Sequence, residues 1–219
     1  MTLVFSIFTW QRIAVWKDTN TICTDVIEKN EGGEPNSDLY FMYYIRGNYK
    51  GAEGDKKGAI QDYTKAIALN PKFESAYANR GHLLDELGDI KSAFADYNKA
   101  IEVNPKAPTP YNNRGWVYYN LHDVQAALKD YNSAVAANPD FDKPRYNRAT
   151  LNANIGDNAG VIADLDILLQ MHPDDNWSYY QRGMAKYNLK NTAGACADLR
   201  KSAELGNKDA PAALQQYCR

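Results

Sequence analysis

Residues 73–105 read FESAYANRGHLLDELGDIKSAFADYNKAIEVNP, and residues 107–139 read APTPYNNRGWVYYNLHDVQAALKDYNSAVAANP. Written one beneath the other, they share three landmarks at an offset of 34 residues. Asn79-Arg80-Gly81 stands over Asn113-Arg114-Gly115, Asp96-Tyr97-Asn98 over Asp130-Tyr131-Asn132, and Asn104-Pro105 over Asn138-Pro139. The same period runs outward. Proline recurs at Pro71 and Pro173, arginine at Arg46, Arg148 and Arg182, and aspartate at Asp62, Asp164 and Asp198. A fixed period of this size is the signature of stacked helical units, each too small to bury its own apolar face. Such an array is first of all a surface, and its ordinary work is to hold another molecule.

Each unit contains two apolar-periodic stretches, about Glu74 to Leu87 and Ile90 to Val103 in the first unit quoted. Gly88-Asp89 separates them, glycine ending one helix in a left-handed turn and aspartate capping the next. Gly54-Asp55, His122-Asp123 and Gly156-Asp157 repeat that punctuation. The second helices are expected to stop at Asn70-Pro71, Asn104-Pro105 and Asn138-Pro139. There asparagine tolerates the left-handed conformation and proline cannot continue the helix.

These residues resemble the tetratricopeptide repeat family over about Leu39 to Gly206. The unit length, the small residue of the first helix (Gly47, Gly81, Gly115, Ala149, Gly183), the alanine early in the second (Ala59, Ala93, Ala127, Ala195) and the closing proline (Pro71, Pro105, Pro139, Pro173) all match in register across the five units, the small residue in five and the alanine and proline in four. The resemblance implies an all-α, right-handed superhelical solenoid of five antiparallel helix pairs at 39–72, 73–106, 107–140, 141–174 and 175–206. A C-terminal capping helix at 207–219 follows. Two departures stand out. Gly51 and Glu53 replace expected aliphatic or aromatic residues, so the first helix of the first unit is expected to fray or end early. Val161, Leu165 and Leu168 make the fourth unit bulkier. Gly81 and Ala93 are expected to face each other across the helix pair, with Tyr63, Tyr97 and Tyr131 filling the joints between units. The Arg and Asp columns read as partly buried ion pairs, within a unit or between neighbours, rather than as an arginine ladder for an acidic ligand.

Composition narrows the function. The formal net charge is −2 and the pI about 5.9, with no basic excess to collect phosphates, so nucleic acid is not an expected partner. No apolar run is long enough for a membrane-spanning helix. His82, His122 and His172 fall at unrelated places in the repeat and none has metal-ligand spacing. With no glycine-rich phosphate loop, HExxH or nucleophile elbow, neither catalysis nor a cofactor or metal is expected.

The ends differ from the array. Residues 1–38 form an appendage of unassigned structure: Met1 to Trp16 is apolar and aromatic but broken by Gln11 and Arg12, and Glu31 to Ser37 (EGGEPNS) reads as a linker. At the other end, Cys196 lies 11 residues before Asn207 and Cys218 lies 11 after it. Helices folded back about Gly206-Asn207 would bring the two thiols opposite each other, as a disulfide or as two small buried residues. The ending resembles exported repeat proteins of this family with a Cys-containing C-terminal cap. A disulfide would imply an oxidising compartment such as a bacterial periplasm. The N-terminus offers no basic segment or small-residue cleavage site, which keeps the cytoplasm as the alternative.

In the family, first helices line the concave face. Spacings of three and four residues then gather candidates for a partner site. They are Tyr44 and Asn48; Asn79 and His82; Asn112, Asn113, Trp116, Tyr119 and Asn120; Tyr146 and Asn147; and Trp177, Tyr180 and Tyr187. Glu86, Asn154, Met184 and Asn188 extend the same faces. This groove is aromatic and amide-rich, suited to an extended peptide or a partner helix. The equally weighted reading is that the amides and rings bridge neighbouring helices. Asn48 and Asn79 match asparagines of the clamp that holds acidic chaperone tails. The clamp's basic places fall on Tyr44, Thr109 and Asn113, so chaperone-tail binding is not expected. The expected function is a non-catalytic protein-interaction scaffold or adaptor. Homo-oligomeric self-assembly through the N-terminal end is the alternative.

Overall fold

The computed structural model describes residues 19–30 and 39–218. The apolar segment 1–16, the linker at 31–37 and the self-assembly reading built on that end lie outside the described residues. Among the described residues the chain is an all-α helical repeat array with a C-terminal helix, twelve helices in all. The described residues divide into two compact units, one ending at Asn113 and the other beginning at Arg114.

The first unit holds α1 (Thr19–Asn30), α2 (Leu39–Ala52), α3 (Lys56–Leu69), α4 (Glu74–Glu86), α5 (Ile90–Val103) and the start of α6 (Pro108–Asn120). The second holds the rest of α6, then α7 (Val124–Ala137), α8 (Asp142–Ile155), α9 (Asn158–Met171), α10 (Asn176–Asn188), α11 (Thr192–Glu204) and α12 (Ala210–Tyr217). Part of the N-terminal appendage is therefore a helix. Cys23 and Ile27 of α1 are buried, and Ile27 joins Leu39 and Tyr43 of α2, Ala66 of α3 and Ala76 of α4 in one apolar cluster. Helix α2 does not end early. It runs through Gly51 to Ala52, where the missing side chain leaves room beside Ala59 and Leu83.

The turns within the helix pairs follow the punctuation. Gly54, Gly88 and Gly156 have φ of 87°, 82° and 81°. The aspartates after them cap the next helix, Asp55, Asp89 and Asp157 accepting from the amides of Gly58, Ser92 and Gly160 at 2.9, 3.1 and 3.0 Å. Two units make this turn without glycine: His122 has φ 60° and Lys190 φ 67°. A side chain in the left-handed region costs about 1–2 kcal/mol per residue. Part of that is offset because glycine also gains freedom in the unfolded chain. His122→Gly is therefore expected to stabilise the protein by about 0.5–1 kcal/mol, measured as a rise in the urea midpoint. An unchanged or lower midpoint would show that His122 is held by contacts worth more than its strain.

The ends of the second helices overturn one expectation. Asn70, Asn104 and Asn138 have φ of −134°, −138° and −147°, extended rather than left-handed. The following proline bars the helical region to its predecessor. Each asparagine instead accepts through its side chain from the amide two residues on, at 3.1, 3.1 and 3.0 Å.

Packing within a repeat adds a neighbour to the expected glycine–alanine approach. A Cβ on Gly47 or Gly183 would meet the carbonyl of Ala59 or Ala195, the counterparts of Ala93, at 3.3 and 3.2 Å, and one on Gly81 would meet Tyr97 at 3.0 Å and the Asp96 side chain at 3.2 Å. On Gly115 it would meet Tyr131 at 2.9 Å. The glycine thus receives the tyrosine ring of its own repeat. The same rings also reach onward: Tyr63 shares a cluster with Leu83, and Tyr131 with Leu151, each from the next first helix.

The Arg–Asp columns pair within a repeat, sixteen residues apart. Arg46–Asp62, Arg80–Asp96, Arg114–Asp130, Arg148–Asp164 and Arg182–Asp198 are all bidentate, with N–O distances of 2.5–2.9 Å. The five carboxylates are 2–6% exposed. The guanidinium's other arm reaches the preceding repeat. Arg80 donates to Thr64 Oγ1 at 3.0 Å, Arg148 to Asn132 Oδ1, and Arg182 to Asp166 Oδ1 at 2.6 Å. One planar fork therefore ties three helices together.

Candidate functional site

The first-helix faces carry the candidate residues, and the structure sorts them by how far they are already engaged. In the first unit most are. Asn48 Oδ1 accepts from the Tyr63 hydroxyl at 2.8 Å and from Asn79 Nδ2 at 2.9 Å, and Asn79 also lies 3.3 Å from the Tyr44 hydroxyl. Burial pushes the Tyr63 phenol up to about 12, so it stays a donor. The Tyr44 ring sits among Phe41, Tyr63 and Phe73, at 6.2, 5.9 and 4.8 Å between centroids. These residues bridge α2, α3 and α4. Asn112 is buried and donates to Asn113 Oδ1 at 3.3 Å. His82 is exposed, 3.8 Å from Glu86.

The second unit keeps an open surface. Trp116 is 42% exposed and stacks on Tyr119, with centroids 5.3 Å apart and planes at 28°. The Tyr119 hydroxyl accepts from Asn154 Nδ2 at 2.6 Å. Around that bond lies a cavity of about 420 Å³ lined by Tyr119, Asn120, His122, Leu151, Asn154 and Ile155, with Val124 at its wall. On the other side of Asn154 is a notch of about 100 Å³, floored by Ala149, Thr150, Ala153 and Val161 and walled by Trp177 and Gln181. Helix α8 is narrow here. In the 34-residue columns, Thr150 and Ala153 occupy the places of Trp116 and Tyr119 in the unit before and of Met184 and Tyr187 in the unit after. The two small side chains leave a trough with aromatic flanks and an amide, Asn154, at its centre.

The remaining candidates are drawn elsewhere. Tyr146 donates to Asp175 Oδ2 at 2.8 Å, its ring 5.6 Å from Trp177; burial and the Asp175 carboxylate push its phenol up to about 12. Asn147 is half-buried on the same helix. Tyr187 packs on Tyr217 of α12 at 4.5 Å. The Tyr180 phenol is raised by burial, with Asp209 and Tyr217 beside it. Thus the structure brings Tyr119 and Asn120 to one cavity, with Trp116 stacked on Tyr119, and sets Trp177 at a second. Tyr180 and Tyr187 turn toward the C-terminal helix. The sequence reading passed over Thr150, Ala153 and Gln181, whose signal was their smallness or amide character within otherwise aromatic columns.

Arg145 was also passed over. It stands where the other units have Tyr43, Tyr77, Tyr111 and Tyr179. In three of them that ring lies beneath the paired arginine, at 5.4, 5.9 and 5.4 Å. Arg145 is 7% exposed, 3.7 Å from Asp164 and 3.3 Å from the Pro139 carbonyl, and its Nε has no protein partner. Asp164 thus faces two guanidinium groups.

Among the described residues no group of three or more His, Cys, Asp or Glu side chains is placed to hold a metal ion, and no helix is long and apolar enough to cross a membrane.

Three family descriptions match parts of the chain: a TPR repeat over residues 83–122, and a tetratricopeptide repeat over 108–141 and again over 42–73. No curated protein matches the chain. Among solved structures it is similar to YrrB, described as a TPR protein with an unusual peptide-binding site. The identity is 20%, the TM-score 0.67, and the match covers 88% of this chain and 97% of that one. It is similar to PilF of Pseudomonas aeruginosa, at 16% identity and TM-score 0.68 over 76% of each chain. A tetratricopeptide repeat protein from Parabacteroides merdae is 22% identical, with TM-score 0.63 over 91% of this chain and 76% of that one. At these identities the likeness is one of fold.

Proposed function

We propose that the chain, which is a tetratricopeptide repeat protein, is a non-catalytic protein-interaction scaffold that holds an extended peptide or partner helix against its first-helix faces. The observation that carries this reading is the trough on α8, with one cavity on each side of Asn154 and rings at both flanks. Aromatic rings supply contact area at low entropic cost, and an amide both donates to and accepts from a peptide backbone. The lining contains no Asp, Glu, Lys or Arg side chain, which favours a neutral segment of a protein over nucleic acid. The description of YrrB as a peptide binder supports the same mode for a protein of this fold. The recurrent carboxylates have structural work, pairing with arginine or capping helices.

The test is capture from native extract with the wild type beside a Trp116→Ala/Tyr119→Ala variant whose helicity is checked by circular dichroism. A partner held by the wild type is expected to bind the variant at least about tenfold more weakly, as for truncated aromatic hot spots. Unchanged capture by the folded variant would place the site elsewhere.

A further inference from the structure

Helix α12 has eight residues and buries fully only Ala210 and Ala213. A helix of that length does not hold itself together in water, and two alanines are a small anchor. Two contacts near its C-terminal end fix it. Cys218, just past its last turn, is joined to Cys196 of α11, and the Tyr217 ring rests on Tyr187 of α10. The pair α10–α11 has independent ties. Ser202 Oγ donates to the Asn176 carbonyl at 2.7 Å, Asn176 Nδ2 donates to the Leu205 carbonyl at 3.1 Å, and the Arg182–Asp198–Lys186 cluster lies between the two helices. All of these precede Gly206, whose φ of 87° makes the turn into the strap. The disulfide therefore bears on α12 and not on the repeat beneath it.

We propose that the Cys196–Cys218 disulfide is a redox-operated latch: oxidised, it holds α12 over the Tyr180 and Tyr187 side of α10, and reduced, it releases that ring-bearing face. Trp177 and Gln181 at the second-unit notch stand on the same helix, so release lengthens the aromatic surface offered to a partner. The latch regulates the face assigned above and rests on that reading for its purpose, but its operation is tested without any partner.

The chemistry needs a dithiol reductant. Cys218 is half-buried and Cys196 buried, so the reductant's thiolate attacks Sγ of Cys218. The Sγ–Sγ bond breaks, and the electron pair leaves on Sγ of Cys196, which takes up a proton. The second thiolate of the reductant then displaces Cys218 and closes the reductant's own disulfide. Two electrons and two protons pass to the protein.

The experiment is hydrogen exchange of the full chain read by mass spectrometry: oxidised, reduced with dithiothreitol, and as the Cys196→Ser/Cys218→Ser variant. Amides of 210–218 are expected to exchange at least about tenfold faster in both unlatched forms, as for a locally opened segment. Amides of 39–205 should stay unchanged, and reoxidation should restore protection. Protection of 210–218 that survives reduction would overturn the latch. So would faster exchange throughout 114–205, which would make the bond a foundation of the fold. A second readout addresses the covered ring. Nitration of Tyr187 should rise several-fold in the double serine variant over the oxidised wild type, and equal nitration would show that α12 does not shield it.

Discussion

Asp164→Ala is expected to destabilise the protein by about 5 kcal/mol, at the top of the range for breaking a buried ion pair. The carboxylate receives both arms of Arg148, at 2.8 and 2.5 Å, and lies 3.7 Å from Arg145, which is itself buried. Removing it leaves two guanidinium groups facing each other without a counter-charge. Asp130→Ala is the control. It removes a carboxylate that faces a single guanidinium, that of Arg114, and its cost should fall nearer about 3 kcal/mol. Thermal or urea unfolding followed by helix circular dichroism measures both. Equal losses would mean that Arg145 contributes nothing to the balance at Asp164. If Asp164→Ala cost less than about 1 kcal/mol, in the range of a surface change, the fork would not be holding the helices at all.

Tyr97→Ala is expected to cost about 3–5 kcal/mol, because the ring is fully buried and a large cavity would open beneath Gly81. The companion change separates ring from hydroxyl. The Tyr97 and Tyr131 hydroxyls are buried without a protein partner, whereas the Tyr63 hydroxyl donates to Asn48. Tyr97→Phe removes a group that gains nothing from its burial, so it should be neutral or stabilising. Tyr63→Phe breaks a satisfied bond and should cost about 1 kcal/mol. A larger loss for Tyr97→Phe than for Tyr63→Phe would reveal a partner for the Tyr97 hydroxyl, such as bound water.

The fold was legible because its devices recur. One Gly-Asp turn or one Arg–Asp spacing would be weak, but in register they specify the helix pairs and place the ion pairs. What escaped the reading was decided by single contacts. The Asn-Pro endings are extended because proline acts on its predecessor, a local steric effect masked by asparagine's general tolerance of the left-handed region. Helix α1 has little periodicity of its own and is defined by burying Cys23 and Ile27. The candidate site was half legible. Aromatic columns pointed to Trp116, Tyr119 and Trp177, yet sequence spacing alone does not tell an open amide from one already bonded. Asn48 and Asn79 meet across 31 residues to tie helices, while Thr150 and Ala153 shape the trough by being small.

The third arm of the Arg80, Arg148 and Arg182 forks has a consequence for how such a chain changes over generations. Its acceptor on the preceding repeat is Thr64, Asn132 or Asp166, three side chains with nothing in common but an oxygen. The seam is a plug with a permissive socket. A gene that gains or loses a whole 34-residue module rejoins arginine to some oxygen without any compensating mutation. Slippage by any other length inside a repeat breaks the sixteen-residue spacing of that repeat's own Arg–Asp pair, so the array can drift in number of modules far more freely than in their spacing.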